Sequence, residues 1–204
     1  VKTILPNIQE SRIQKVFLTE NRETCLELHS RNQSGYLIIS IHPEICFFYY
    51  TKNKPSLKKI KETAWEQILN KYLNGAKIIG LEQIGWDRVI RLTIQNQRTW
   101  DNKNFFYLYC ELTGRNANCI LTTAEIPGLI LGCQKSVPSY QNRFRTISVG
   151  NIYQLPPPKL NAIDPLLFIQ EKTSLPSPIP NNELEKWLIK NIDGIGPFLA
   201  TVLS

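Results

Sequence analysis

The stretch AKIIGLEQIGWDRVIRLTIQ, residues Ala76–Gln95, decides the fold. Two runs rich in branched apolar residues flank Gly85-Trp86, so the segment reads as two strands joined at a turn. Asp87 and Arg88 stand at the mouth of the second run. Strand parity puts Arg88 on one face with Ile90, Leu92 and Ile94, and Asp87 on the other with Val89, Arg91 and Thr93. An arginine on an apolar face needs a reason. A structural one is that Arg88 pairs with a carboxylate such as Glu111, or that Asp87 accepts from turn amides. A functional one is a donor and an acceptor held rigidly at a rim to meet a polar ligand, such as a nucleobase edge.

Outward from this hairpin the same pattern recurs. On the N-terminal side RIQKVFLTE, TCLELHS, GYLIISI and ICFFYY are short, branched or aromatic, and separated by polar or glycine-containing turns. On the C-terminal side FFYLYCEL, ANCILTT and GLILGCQ continue it. Gly114-Arg115-Asn116 reads as a turn between two of these strands, with Asn118 just after it. One segment differs. In PSLKKIKETAWEQILNKYLNG, Leu57, Ile60, Ala64, Trp65, Ile68, Leu69, Tyr72 and Leu73 recur at helical spacing. Ser56 is placed to cap the start of this helix and Asn74-Gly75 to end it. Lys58, Lys59, Lys61 and Lys71 fall mostly off the apolar stripe and read as a solvated face. The expected class is α+β: a β-rich, sandwich-like domain with a flanking amphipathic helix.

Beyond the strands, Ser136 to Leu160 reads as an ordered loop with a proline-stiffened exit. It contains NRFRTISVG, where Arg143 and Arg145 flank Phe144; such a set either holds a nucleic-acid backbone or is a solvated loop with one anchoring aromatic. The expected organisation is a β-rich domain over residues 1–170, a linker over 171–182, and the start of a helix-hairpin-helix region over 183–204. Leu188 and Ile192 stripe a first helix, Gly194-Ile195-Gly196 makes the turn, and Pro197 opens the second. Gly194 and Gly196 would let backbone amides approach a phosphate. Alternatively the hairpin only packs two helices together.

The 204 residues carry a net charge of +7 and a pI near 9.2, a balance suited to polyanionic partners. The five cysteines are odd in number and lack a CxxC, and at least three sit in apolar runs, which fits a reducing compartment and a cytoplasmic protein. With two histidines and no ligand spacing, no metal and no cofactor is expected. No run is long enough to cross a bilayer and no secretory leader is visible. No catalytic motif is present, so no catalytic residue and no enzyme activity is expected. The chain starts at Val1 rather than Met and stops within a helical pattern, which reads as part of a longer protein.

Taken in order, SRIQKVF, YLNGAKIIGLEQIGWDRVIRLTI, YLYCELTGRNANCILT, NRFRTISVGNIYQLPPPKLNAIDP and GIGPFLA resemble the N-terminal region of the NFACT family. These proteins were first labelled fibronectin-binding protein A-like, and they include ribosome quality-control factors. The resemblance covers nearly the whole chain. It implies a fold similar to the N-terminal domain of formamidopyrimidine-DNA glycosylases without their chemistry; Val1-Lys2 is not a proline-glutamate start. It implies a module that binds tRNA and the large ribosomal subunit and recruits aminoacyl-tRNA for template-free tailing of a stalled chain. The Asp-Arg pair resembles the family's tRNA-recognition motif, and that role falls on Asp87 and Arg88. Arg115, Asn118, Arg143 and Arg145 complete the implied tRNA-binding set. Trp86 before the pair is not expected in every member. Two other readings stand beside this one: a fibronectin-binding adhesin, with fibronectin as partner, and a DNA-binding relative of the glycosylases.

Overall fold

The computed structural model describes residues 1–31, 33–56, 62–97, 104–170 and 181–203. They form two compact units, Val1–Ile84 with Val89–Leu155, and Gly85–Arg88 with Pro156–Ser204.

The first unit is built on nine antiparallel strands: β1 Arg12–Leu18, β2 Thr24–His29, β3 Ser34–Ile41, β4 Cys46–Thr51, β5 Lys77–Gln83, β6 Val89–Gln95, β7 Phe105–Glu111, β8 Asn118–Thr123 and β9 Ile130–Cys133. Their order is β4-β3-β2-β1-β5-β6-β7-β8-β9, which is two meanders joined where β1 meets β5. That joint is narrow. A single registered pair, Arg12 with Lys77, is flanked by backbone bonds such as Ile13 N–H to Ala76 O at 2.8 Å. Bulges at Ile13/Lys15 and Ile78/Gly80 bend the strands beside it. The sheet therefore folds over, and residues of both halves fill one core: Leu26, Leu37 and Ile39 from one, Leu92, Leu108 and Leu121 from the other. The far ends meet too, since Lys135 Nζ donates to Ile41 O at 3.2 Å and Gln134 Nε2 to Arg22 O at 2.8 Å. This is the β-rich, α+β class expected, built on one large antiparallel sheet.

Helix α1, Leu5–Ile8, adds Ile8 to that core, and helix α2, Ala64–Leu73, adds Trp65, Leu69 and Leu73. Burial of each such side chain is worth roughly 1.5–3 kcal/mol. Helix α2 starts later than the sequence suggested. Its cap is Thr63 rather than Ser56, in a reciprocal box with Glu66. Leu57, Ile60, Lys58, Lys59 and Lys61 lie outside the described residues. The expected stop holds, with Asn74 as C-cap and Gly75 at φ 77.

A further cluster of Val89, Tyr109, Ile120, Ile130, Ile147 and Tyr153 covers the opposite face of β6 to β9. It explains why β8 is buried along its whole length instead of alternating.

The second unit holds the short helices α3 Pro165–Gln170, α4 Asn181–Asn191 and α5 Pro197–Leu203, around Leu188, Ile192 and Ala200. The two units part at Leu155–Pro156. The reason is local bonding. Lys159 Nζ donates to Ile192 O at 2.9 Å, and Ile163 exchanges backbone bonds with Asn191 and Asp193 at 2.7 and 3.0 Å. The segment after Pro156 thus belongs with the end of α4. The expected linker, residues 171–182, falls almost wholly outside the described residues.

Candidate functional site

The bend between β5 and β6 carries Asp87 and Arg88. It closes with Ile84 N–H to Val89 O at 2.9 Å, and Gly85 takes φ 57, a left-handed conformation that suits glycine. Asp87 Oδ1 accepts from the Arg88 amide at 2.7 Å, as the turn reading expected. Asp87 is half-buried and Arg88 exposed. Arg88 therefore does not lie on an apolar strand face. Pairing with β7 begins one residue later, at Val89 opposite Glu111.

Glu111 is not the partner of Arg88. Its carboxylate is fully buried and held by both ends of the Arg145 guanidinium, at 2.6 Å each, and by the Tyr153 hydroxyl at 2.8 Å. Arg145 also donates to Gln154 O at 2.9 Å. Burial works against the Arg145 charge, but the bonds to Glu111 outweigh it and raise the pKa of the guanidinium. Burial first, then the Glu111 charge, pushes the Tyr153 phenol well above its usual value. Arg145 thus ties the Ser136–Leu160 segment to β7.

Its sequence neighbour behaves differently. Arg143 is exposed and lies over the Phe144 ring, 4.9 Å from the centroid, while Phe144 is itself 62 % exposed. Arg115 is exposed on the 3-10 turn Gly114–Asn116 between β7 and β8. Asn118 is buried, and its amide is spent on the Lys135 backbone, accepting at 2.9 Å and donating at 2.7 Å. Of the anticipated set in the first unit, Arg115 and Arg143 reach solvent, whereas Asn118 and Arg145 hold chain segments in place.

In the second unit, Gly194 sits at φ 72 with its α-carbon against Trp86. A Cβ there would meet the Trp86 carbonyl oxygen at 2.8 Å and its Cβ at 2.9 Å. The close approach this glycine permits here is to Trp86. Gly196 differs, because a Cβ on it would face open space. Asp164 accepts from the Leu166 amide at 2.7 Å and lies near the Trp86 indole; the indole N–H first, then the backbone amide, holds its carboxyl below the usual value. Sequence reading missed Asp164 and the role of Trp86. Only the family-unusual tryptophan beside the pair signalled it.

The sequence reading also passed over a cleft in the first unit. It measures about 680 Å³ and is lined by Glu10, Arg12, His29, Arg31 and Lys77 among others. Glu10 and Lys77 form an ion pair at its edge. No helix among the described residues is long and apolar enough to cross a membrane.

The chain matches the family described as NFACT N-terminal and middle domains over residues 1–204. It is 26 % identical over 196 residues to the Rqc2 homolog RqcH of Bacillus subtilis, covering 95 % of this chain and 33 % of that protein. The Rqc2 homolog RqcH of Streptococcus suis is 30 % identical over 166 residues, 81 % of this chain and 30 % of its own length. The chain thus spans about a third of the curated relatives it matches. Among solved structures, the N-terminal domain of the fibronectin-binding protein PavA from Streptococcus pneumoniae superposes with a TM-score of 0.76 at 28 % identity, over 96 % of this chain and 72 % of that one. The N-terminal part of the fibronectin/fibrinogen-binding protein FBPS from Streptococcus suis gives 0.80 at 26 %, over 98 % and 73 %. With the match running from the first residue to the last, this chain belongs to the NFACT family.

Proposed function

We propose that the chain is the tRNA- and ribosome-binding module of a cytoplasmic ribosome quality-control factor. It binds stalled large subunits and recruits aminoacyl-tRNA for template-free tailing of the nascent chain. It is a binding module, with no catalytic residue, cofactor or metal of its own; peptide-bond formation belongs to the ribosome. The Asp87–Arg88 turn carries the reading. The pair resembles the family's tRNA motif, the Asp87 carboxylate accepts from the Arg88 amide at 2.7 Å, and Arg88 is open to solvent. A carboxylate so held, with an exposed guanidinium on the next residue, offers acceptors and donors to a base edge. Arg115 and Arg143 are exposed cations for backbone phosphates, and Phe144 is a stacking surface beside one of them. Gly196 is the glycine of the α4–α5 turn with room for a phosphate. Asn118 and Arg145 act indirectly, by shaping the segments that present these groups. The glycosylase-like β domain serves here as a platform without base chemistry.

Direct binding tests it. The full-length protein carrying Arg88→Ala loses about tenfold in tRNA affinity at fixed salt, roughly the worth of one charge-assisted bond pair. Unchanged affinity defeats the assignment. The names of two structural relatives favour a second reading, fibronectin binding. Saturable binding to immobilised fibronectin that Arg88→Ala leaves intact, with no tRNA binding, selects it.

A further inference from the structure

We propose that Trp86, Asp164 and Gly194 are positioning residues that set the orientation of the Asp87–Arg88 turn, making the α3–α5 region a tuner of tRNA reading. The inference rests on the tRNA role proposed above and adds to it the groups that aim the reader.

Two contacts from distant parts of the chain converge on Trp86. Gly194 presses its bare α-carbon on the Trp86 backbone, where a methyl group would come within 2.8 Å of the carbonyl oxygen. Because that contact is to main chain, no side-chain rotation relieves it. Asp164 lies by the other end of the residue, near enough for the indole N–H to favour its carboxylate. The two clamps are not independent. Ile163, next to Asp164, receives the Asp193 amide at 3.0 Å and donates to Asn191 O at 2.7 Å, while Asp193 Oδ1 accepts from the Gly194 amide at 2.9 Å. Lys159 closes the same knot by donating to the carbonyls of Ile189 and Ile192 at the end of α4. Asp164 and Gly194 are thus one bonded piece, and Trp86 is seated on it. Asp87 and Arg88 follow Trp86 directly, and the Asp87 carboxylate bonds the Arg88 amide. A shift or rotation at Trp86 passes to both through two peptide units. Trp86 is still 36 % exposed, so its burial alone gives no sufficient reason for two clamps.

The experiment uses the full-length protein labelled with 5-fluorotryptophan. The Trp86 fluorine resonance is assigned by its loss in Trp86→Phe, and tRNA affinity is followed by anisotropy at one salt concentration. Asp164→Ala and Gly194→Ala are expected to move the Trp86 resonance and weaken tRNA binding about tenfold, with the melting temperature little changed for Asp164→Ala. Asp164→Asn keeps an acceptor for the indole and restores both readouts, which a purely structural role would not require. If Arg88→Ala weakens binding but Asp164→Ala and Gly194→Ala bind tRNA as wild type does, the positioning role is overturned and the tRNA reading stands. If Arg88→Ala itself binds normally, both fall.

Discussion

Arg143 and Arg145 lie two positions apart and meet opposite fates, which separates scaffold from surface in this protein. Arg145 neutralises Glu111, a carboxylate with no exposure at all, through two bonds of 2.6 Å. Removing one member of a buried pair strands the other charge. Arg145→Ala is therefore expected to cost about 3–5 kcal/mol in urea unfolding, whereas Arg143→Ala leaves the midpoint unchanged. Tyr153 belongs to the same cluster. Its phenol keeps its proton in the folded state above the usual value of 10.0, so the unfolded chain ionises first. Stability from this residue is full below pH 10, falls as pH rises above it, and Tyr153→Phe removes that part of the alkaline loss in melts run from pH 8 to 11. The strand pattern placed Glu111 correctly in β7 and raised it as an arginine partner. It could not choose among the arginines, because the choice depends on where the Ser136–Leu160 segment returns.

At the scale of elements, the joint between β1 and β5 decides how the sheet folds over. Once β1 diverges from β5, its edge groups need other partners. Helix α2 supplies them: Asn70 accepts from the Val16 amide and donates to Val16 O, both at 3.0 Å, and Glu66 accepts from the Leu18 amide at 2.9 Å. Glu66 also completes the capping box with Thr63. Thr63→Ala is expected to destabilise by about 1 kcal/mol. Glu66→Ala, which breaks the cap and the strand tie together, costs more, and the difference is measurable by chemical denaturation. All nine strands and this helix were legible from periodicity and turn residues. The folded-over joint was not, since a polar residue facing a strand edge and one facing water look alike in sequence. Nor was the true cap: Ser56 and Thr63 both precede helical pattern, and the Glu66 partner three residues on decides for Thr63.

At the scale of the molecule, the tip of the β5–β6 hairpin groups with Pro156–Ser204 rather than with the strands that carry it. Sequence order conceals this, because Trp86, Asp164 and Gly194 are separated by more than a hundred residues from first to last. What could be read was the Asp-Arg pair and the hairpin glycines as candidate contacts. What could not be read was that Gly194 packs on Trp86, the residue before the pair. The basic balance of the chain, +7 in 204 residues, makes salt a second handle. Arg143→Ala is expected to weaken tRNA binding evenly across tRNAs and to lower the slope of affinity against salt by about 0.7–1. The most direct measurement of the central claim is C-terminal tailing on stalled large subunits by the full-length protein with Asp87→Ala or Arg88→Ala. The account predicts that both variants fold, still join the subunit and fail to extend the chain; tailing at the wild-type level by either variant would contradict it.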